Sequence, residues 1–120
     1  MKKTLVIGAS LNSQRYSNMA IKMLVEYNHE VKAFGLKKGE INGVKVEVEI
    51  EKVREEFHTI TLYLNPLNQK PYYSFILDIN PKRVIFNPGT ENEEFQNLLD
   101  HAGIIWEESC TLVLLRTGQY

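Results

Sequence analysis

Along this chain, short apolar runs that carry no charge alternate with stretches in which apolar residues recur at helical spacing. Thr4-Leu5-Val6-Ile7, closed by Gly8-Ala9-Ser10, is apolar on both faces and is expected to form a strand buried on both sides. The polar turn that follows ends at Ser17, a suitable N-cap. Asn18 to Tyr27 then reads as helix, with Ala20, Leu24 and Tyr27 on one face and Asn28 able to stop it in a left-handed conformation. Val31 to Phe34 is the next strand, and Gly35 to Gly43 reads as a glycine-punctuated loop carrying Lys37 and Lys38.

Val44 to Ile50 alternates valine and isoleucine with Lys45, Glu47 and Glu49, the period of a strand with one wet face and a candidate for the sheet edge. Glu51 to Glu56 has room for a short helix. Thr59 to Leu64 reads as strand, broken by Asn65-Pro66, and Pro71 suits the first turn of a helix reaching Ile79 with Tyr72, Phe75 and Ile76 inward. Arg83 to Phe86 is a further strand turned by Asn87-Pro88-Gly89. Thr90-Glu91-Asn92-Glu93 has the form of a capping box, and its helix carries Phe95, Leu98, Leu99 and Ala102 inward before Gly103. Ile104 to Trp106 is the fifth main strand; Cys110 to Leu115 is apolar but too short to assign.

Strand and helix alternating through one chain call for an α/β fold, a Rossmann-like three-layer arrangement with a mostly parallel sheet. The expected order of the main strands is 3-2-1-4-5, which places Arg83–Phe86 beside the first strand. Ligands of such sheets bind at the carboxyl ends of strands next to the point where the order reverses. The expected wall is therefore Gly8 to Ser17 facing Asn87 to Gly89, flanked by Lys37, Lys38, Asn65 and Pro66.

Composition narrows the classes of partner. The 120 residues, 43% of them hydrophobic, suffice for one core, so residues 1–120 are read as a single domain. With 14 basic and 15 acidic side chains the net charge is -1, giving no general attraction to nucleic acid or an anionic membrane. No apolar run has the length of a membrane span, and the single cysteine, Cys110, allows no internal disulfide; a cytoplasmic protein is expected.

The loops discriminate between nucleotides. Of the glycine fingerprint for dinucleotides only Gly8 is clear, and the acid that normally holds a ribose at the second strand's exit is replaced by Gly35-Leu36-Lys37-Lys38. Ammonium groups there suit a ligand with a phosphate on its ribose, coenzyme A or NADP, better than NAD. The two marked helix starts agree with this. The one after Thr90 holds Glu91, Glu93 and Glu94, which repel an anion, whereas the one at Ser17 has no acid and is preceded by Arg15.

Taken together, Gly8-Ala9-Ser10, Arg15-Tyr16-Ser17, the lysine loop, Leu64-Asn65-Pro66, Asn87-Pro88-Gly89 and the late Cys110 resemble the small stand-alone CoA-binding domain proteins. Those are similar to the CoA-binding domain of succinyl-CoA synthetases reduced to one module. The resemblance implies that Gly8, Ala9, Ser10, Arg15, Tyr16 and Ser17 hold the pyrophosphate region. It also implies that Lys37 or Lys38 holds the ribose phosphate, and that Asn65, Pro66, Pro88 and Gly89 form the adenosine and pantetheine walls. Cys110-Thr111-Leu112-Val113 departs from the Cys-Pro pair of many relatives.

The expected function is binding of coenzyme A or a short acyl-CoA by a carrier, sensor or subunit without its own chemistry. An NADP-dependent oxidoreductase module and a protein interaction module that has lost its ligand are the alternatives. His29, His58 and His101 all fall on the edge opposite the proposed site and read as surface histidines. Cys110 falls on the ligand edge, where its thiol could meet the thiol end of CoA.

Overall fold

The computed structural model describes residues 1–120. It has a seven-stranded sheet sandwiched between helices, with strands β1 (Thr4–Ala9), β2 (Val31–Gly35), β3 (Gly39–Ile41), β4 (Val44–Glu47), β5 (Thr59–Leu62), β6 (Arg83–Phe86) and β7 (Ile105–Glu108). The helices are α1 (Tyr16–Glu26), α2 (Pro66–Gln69), α3 (Tyr73–Ile79), α4 (Glu93–His101) and α5 (Thr111–Arg116), with 3-10 turns at Ile50–Val53 and Lys70–Tyr72. No helix is long and apolar enough to cross a membrane.

The α/β layering agrees with the alternating pattern; the strand number and order do not. The sheet runs β3-β4-β2-β1-β5-β6-β7, and every neighbouring pair is parallel except the β3–β4 hairpin. Thr59–Leu62, not Arg83–Phe86, lies beside β1, with Thr4 opposite Thr59 and Ile7 opposite Leu62. The position beside β2 is already filled by β4, through Ala33 opposite Val46. All residues of β5 are buried, and only a strand paired on both sides can satisfy such a backbone. The order therefore reverses between β1 and β5.

The hairpin was hidden in the expected lysine loop. Asn42 and Gly43 both have positive φ, 47° and 84°, as a two-residue hairpin turn of the type favoured by strand twist requires. Several boundaries also shift. The expected strand over Val44–Ile50 stops at Glu47, and a 3-10 turn replaces the expected helix from Glu51, because Val53 and Phe57 must return to the core on the far side of β1. The expected helix from Pro71 is preceded by α2, whose first residue is Pro66 and whose cap is Asn65. Helix α4 is capped by Asn92 rather than Thr90: the Asn92 Oδ1 accepts from the Phe95 N–H at 3.1 Å, while the Thr90 hydroxyl donates to the Asn87 carbonyl at 2.8 Å.

Each face of the sheet has its own core. Leu5, Ile7, Ile60, Leu62, Val84 and Phe86 point toward α3 and α4, where Phe75, Ile76, Phe95 and Leu99 cover them. Val6, Ala33 and Ile85 point the other way, toward Ile21 and Leu24 of α1 and Leu115 of α5. The alternation along β1 puts successive side chains in the two cores, which leaves the strand's carboxyl end as the place where the chain must leave the sheet.

Candidate functional site

That exit is shaped by two glycines. Gly8 has φ of 98°, and a Cβ there would meet the Tyr63 carbonyl carbon at 3.0 Å, so only glycine lets the strand turn against β5. Gly35 faces it from the end of β2, where the register with β1 slips between Ile7 and Ala9.

The loop from Ser10 to Arg15 is held by its own polar groups. The Ser10 hydroxyl accepts from the Asn12 N–H at 3.1 Å, the Asn12 side chain accepts from the Gln14 N–H at 2.9 Å, and the Asn12 carbonyl accepts from the Arg15 N–H at 3.0 Å. The Asn18 amide on α1 donates back to the Ser10 carbonyl at 2.9 Å. Such local bonds fix the loop before any ligand arrives.

Helix α1 begins earlier than the sequence suggested. Arg15 is the cap residue in extended conformation, Ser17 is buried in the first turn, and no side chain caps the helix. The N–H groups of Tyr16, Ser17 and Asn18 are therefore without helical partners, and the first turn contains no acid. Ser17 thus contributes a backbone donor rather than the cap.

This helix start opens into a cleft of about 1090 Å³. From the exit of β2 at Phe34, Gly35, Leu36 and Lys37 the cleft crosses the Gly8–Ser17 loop to Tyr63, Leu64, Asn68, Pro71 and Tyr72, and reaches Pro88 and Thr90 beyond β6. Arg15 and Lys37 are its charged residues; neither makes an ion pair, and no carboxylate or histidine lines it. The arrangement presents unpaired amides and two cations to an anion, with aromatic and apolar walls on either side.

Of the residues singled out in the sequence, Gly8, Ala9, Ser10, Arg15, Tyr16, Ser17, Lys37 and Pro88 come together around this cleft. Lys38, Asn65, Pro66, Asn87 and Gly89 do not line it. Lys38 is exposed ahead of β3. Asn65 spends its side chain on the Asn68 N–H at 3.0 Å, and Pro66 starts α2. Gly89, with φ of 92°, makes an exposed turn. Asn87 is buried as a joint: its amide nitrogen donates to the Thr61 hydroxyl at 2.6 Å and the Leu62 carbonyl at 2.9 Å, and its oxygen accepts from the Thr111 N–H at 2.9 Å.

The sequence reading missed the wall made by Tyr63, Asn68 and Tyr72. Its signal was the cap at Asn65, which puts Asn68 and Tyr72 on a helical segment starting at the ligand edge. Behind this wall the buried Gln69 amide donates to the carbonyls of Leu64 and Thr90, both at 2.8 Å, and accepts from Asn92 at 2.9 Å. Gln69 thereby ties the exit of β5 to that of β6.

A smaller cavity of about 310 Å³ adjoins the cleft through Tyr16, Tyr63 and Pro88, which line both. Asn87, Cys110, Leu112, Val113 and Arg116 complete it. Burial pushes the Tyr63 phenol up to about 12, against a downward pull from the nearby Thr61 and Thr111 hydroxyls. Its oxygen is inaccessible to solvent and has no partner in hydrogen-bonding geometry.

Comparison with solved structures places the whole arrangement in a known fold. The crystal structure of an uncharacterized protein is 47% identical over 100% of this chain and 98% of its own, with a TM-score of 0.95. A Thermus thermophilus protein, cell-free ID.343, shares 19% identity over 99% of this chain and 91% of its own at a TM-score of 0.86. The acetyl-coenzyme A synthetase 1 of Candidatus Korarchaeum cryptofilum, solved with phosphate and ADP, has the same fold at 14% identity and a TM-score of 0.68; 87% of this chain matches 25% of that one. No curated protein matches the sequence at a significant level. Residues 2–116 match the family model described as a CoA binding domain, and the chain therefore belongs to that CoA-binding family.

Proposed function

We propose that the cleft binds coenzyme A or a short acyl-CoA, and that the protein serves as a carrier, sensor or subunit without chemistry of its own. The observation that carries this reading is the acid-free start of α1, with unpartnered N–H groups of Tyr16, Ser17 and Asn18 beside Arg15. A diphosphate set there accepts from amides that have no partner within the helix, and Arg15 adds a charge-assisted contact. Lys37, at the exit of β2, stands where a ribose phosphate would lie. The aromatic and apolar residues Phe34, Leu36, Leu64 and Tyr72 supply walls for the adenine and the pantetheine arm.

Calorimetry under reducing conditions with CoA, acetyl-CoA, dephospho-CoA, NADP and NAD tests the reading. CoA and acetyl-CoA are expected to bind, dephospho-CoA more weakly, and NAD least. Stronger binding of NADP than of CoA would replace the reading with a nicotinamide site. No heat with any of the five would remove it.

A further inference from the structure

We propose that Gln69 is a positioning residue of the cleft: its buried carboxamide fixes the spacing between the walls that follow β5 and β6, and CoA affinity depends on that spacing. The inference rests on the CoA reading of the cleft and concerns a residue that does not line it. The paired backbones of β5 and β6 end at Leu62 and Phe86. The chains that continue from them line the cleft at Leu64 and at Thr90. Asn87 bridges the first step past the strands, through the Leu62 carbonyl at 2.9 Å. Further out no backbone hydrogen bond joins Leu64 to Thr90, and Gln69 takes that place. It is 1% exposed, behind Asn68 and Pro71, which face the cleft on either side of it in the sequence.

The chemistry of this joint admits few side chains. The groups to be joined are two carbonyl oxygens, which can only accept, so an atom carrying two N–H bonds must stand between them. Burial disfavours a charged ammonium or guanidinium there and leaves the carboxamide. The Gln69 Nε2 donates to the Leu64 and Thr90 carbonyls, both at 2.8 Å. Its oxygen accepts from the Asn92 amide at 2.9 Å, and that amide donates its other hydrogen to the Tyr73 hydroxyl at 2.8 Å, which in turn donates to Glu94 at 3.1 Å. Each donor hydrogen along this chain has its own acceptor, so the Gln69 carboxamide is held in one orientation. Asn92 also caps α4, which ties the joint to a full helix.

Three segments of the wall therefore meet on one side chain: the exit of β5, the helix α2 and the loop before α4. Without that side chain the two carbonyls seek other donors, and the walls hold their binding spacing for only part of the time. Affinity falls in proportion, so a cleft in its binding arrangement about one tenth of the time binds about tenfold more weakly. A carboxylate at this position makes the dependence visible. Gln69→Glu sets a negative oxygen against two carbonyl oxygens; burial raises the pKa of that carboxyl, and its protonated form regains one of the two donors. The defect of Gln69→Glu should then shrink as pH falls, whereas that of Gln69→Leu, which cannot titrate, should not.

Calorimetry with CoA on the wild-type chain, Gln69→Glu and Gln69→Leu at pH 8, 7 and 6, well below each melting temperature, tests the proposal. Each variant's Kd is divided by that of wild type at the same pH, which cancels the titration of CoA itself. Both ratios should be about ten at pH 8; at pH 6 the Gln69→Glu ratio should fall and the Gln69→Leu ratio should stay. A residue that only stabilises the fold would lower the melting temperature and leave the Kd of the folded variants at the wild-type value. Folded variants with that Kd, or a Gln69→Glu ratio that does not change with pH, overturn the proposal. Should neither variant fold, NMR of the wild-type chain decides: the two side-chain amide protons of Gln69 should shift on saturation with CoA, and resonances that stay in place overturn it. Absence of CoA binding by wild type removes the cleft reading and the inference with it, whereas wild-type binding with unaltered variants removes the role of Gln69 alone.

Discussion

A Cβ built on Gly35 would lie 2.3 Å from the carbonyl oxygen of Ala9. The slip in register between Ile7 and Ala9 brings that oxygen over the end of β2, so the two strand exits interlock through the missing side chain. Backbone on both sides leaves little room to yield. Gly35→Ala is expected to destabilise the fold by about 1–3 kcal/mol, as overpacking of a close contact does, and to weaken CoA binding because the Ser10–Arg15 loop starts at the displaced residue. Thermal denaturation and calorimetry check this together; an alanine variant with wild-type melting and affinity contradicts the interlock.

The two lysines of the β2 exit should not be equivalent. Lys37 lines the cleft, while Lys38 lies outside it. Lys37→Ala is expected to lower CoA affinity roughly fivefold, the scale of about 1 kcal/mol for an exposed ion pair. The same change should narrow the gap between CoA and dephospho-CoA. Lys38→Ala should change neither quantity. A gap that survives Lys37→Ala removes that residue from the ribose phosphate.

Arg15→Ala separates binding from folding. Arg15 is exposed and has no carboxylate partner, so the melting temperature should stay close to wild type. Loss of a charge-assisted contact to a diphosphate should weaken CoA by roughly tenfold. Increasing salt should weaken wild type more than the variant.

These residues differ in how far sequence alone could reach them. Gly8, Arg15 and Lys37 announce themselves locally: a glycine ending an apolar run, a cation at an acid-free helix start, and a cation where an acid is usual. The order of strands is a matter of long-range pairing. Nothing within Thr59–Leu62 or Arg83–Phe86 states which of them meets β1, and the decision depends on β4 occupying the place beside β2. The β3–β4 hairpin did carry a local signal in Asn42-Gly43. Its first strand is only Gly39–Ile41, too short for an alternation to register. Asn87 reads as a turn residue, and its role emerges only when Thr61 and Thr111, distant in the chain, close around it.

For that reason Asn87→Ala should behave as a structural rather than a ligand substitution. It strands the Thr111 N–H and the Leu62 carbonyl in a buried setting, at about 1–3 kcal/mol for each unsatisfied group. Thermal melting should fall by roughly ten degrees or more, as the loss of two such groups does in a domain of this length. Because Asn87 fastens the start of α5, hydrogen exchange should rise first in Thr111–Arg116. Uniform protection across α5 in the variant would show that the helix is held by its apolar face instead.

Acid should weaken the fold in two steps. At the edge away from the cleft, burial lowers the pKa of His29, with the amino terminus and Lys2 adding to the effect, and burial lowers that of His58, with Arg83 and Lys2 adding. His29 is held neutral by geometry as well, since its Nδ1 accepts from the Lys2 N–H at 2.9 Å. Both folded values lie below the unfolded value of 6.5, so the unfolded chain binds protons more readily there. Stability is then fully present above that value and falls as pH drops below it, levelling off once the folded histidines also titrate. A second loss begins below the ordinary carboxylate value of 4.5, because a hydrogen bond from Lys3 holds Glu55 below it. Denaturant unfolding from pH 8 to about pH 2 should show the first decline just below pH 6.5 and the second below pH 4.5. His29→Asn, which keeps an acceptor for the Lys2 N–H but cannot titrate, should flatten part of that decline and leave the carboxylate step in place. An unchanged slope between pH 7 and pH 5 would place the acid sensitivity elsewhere.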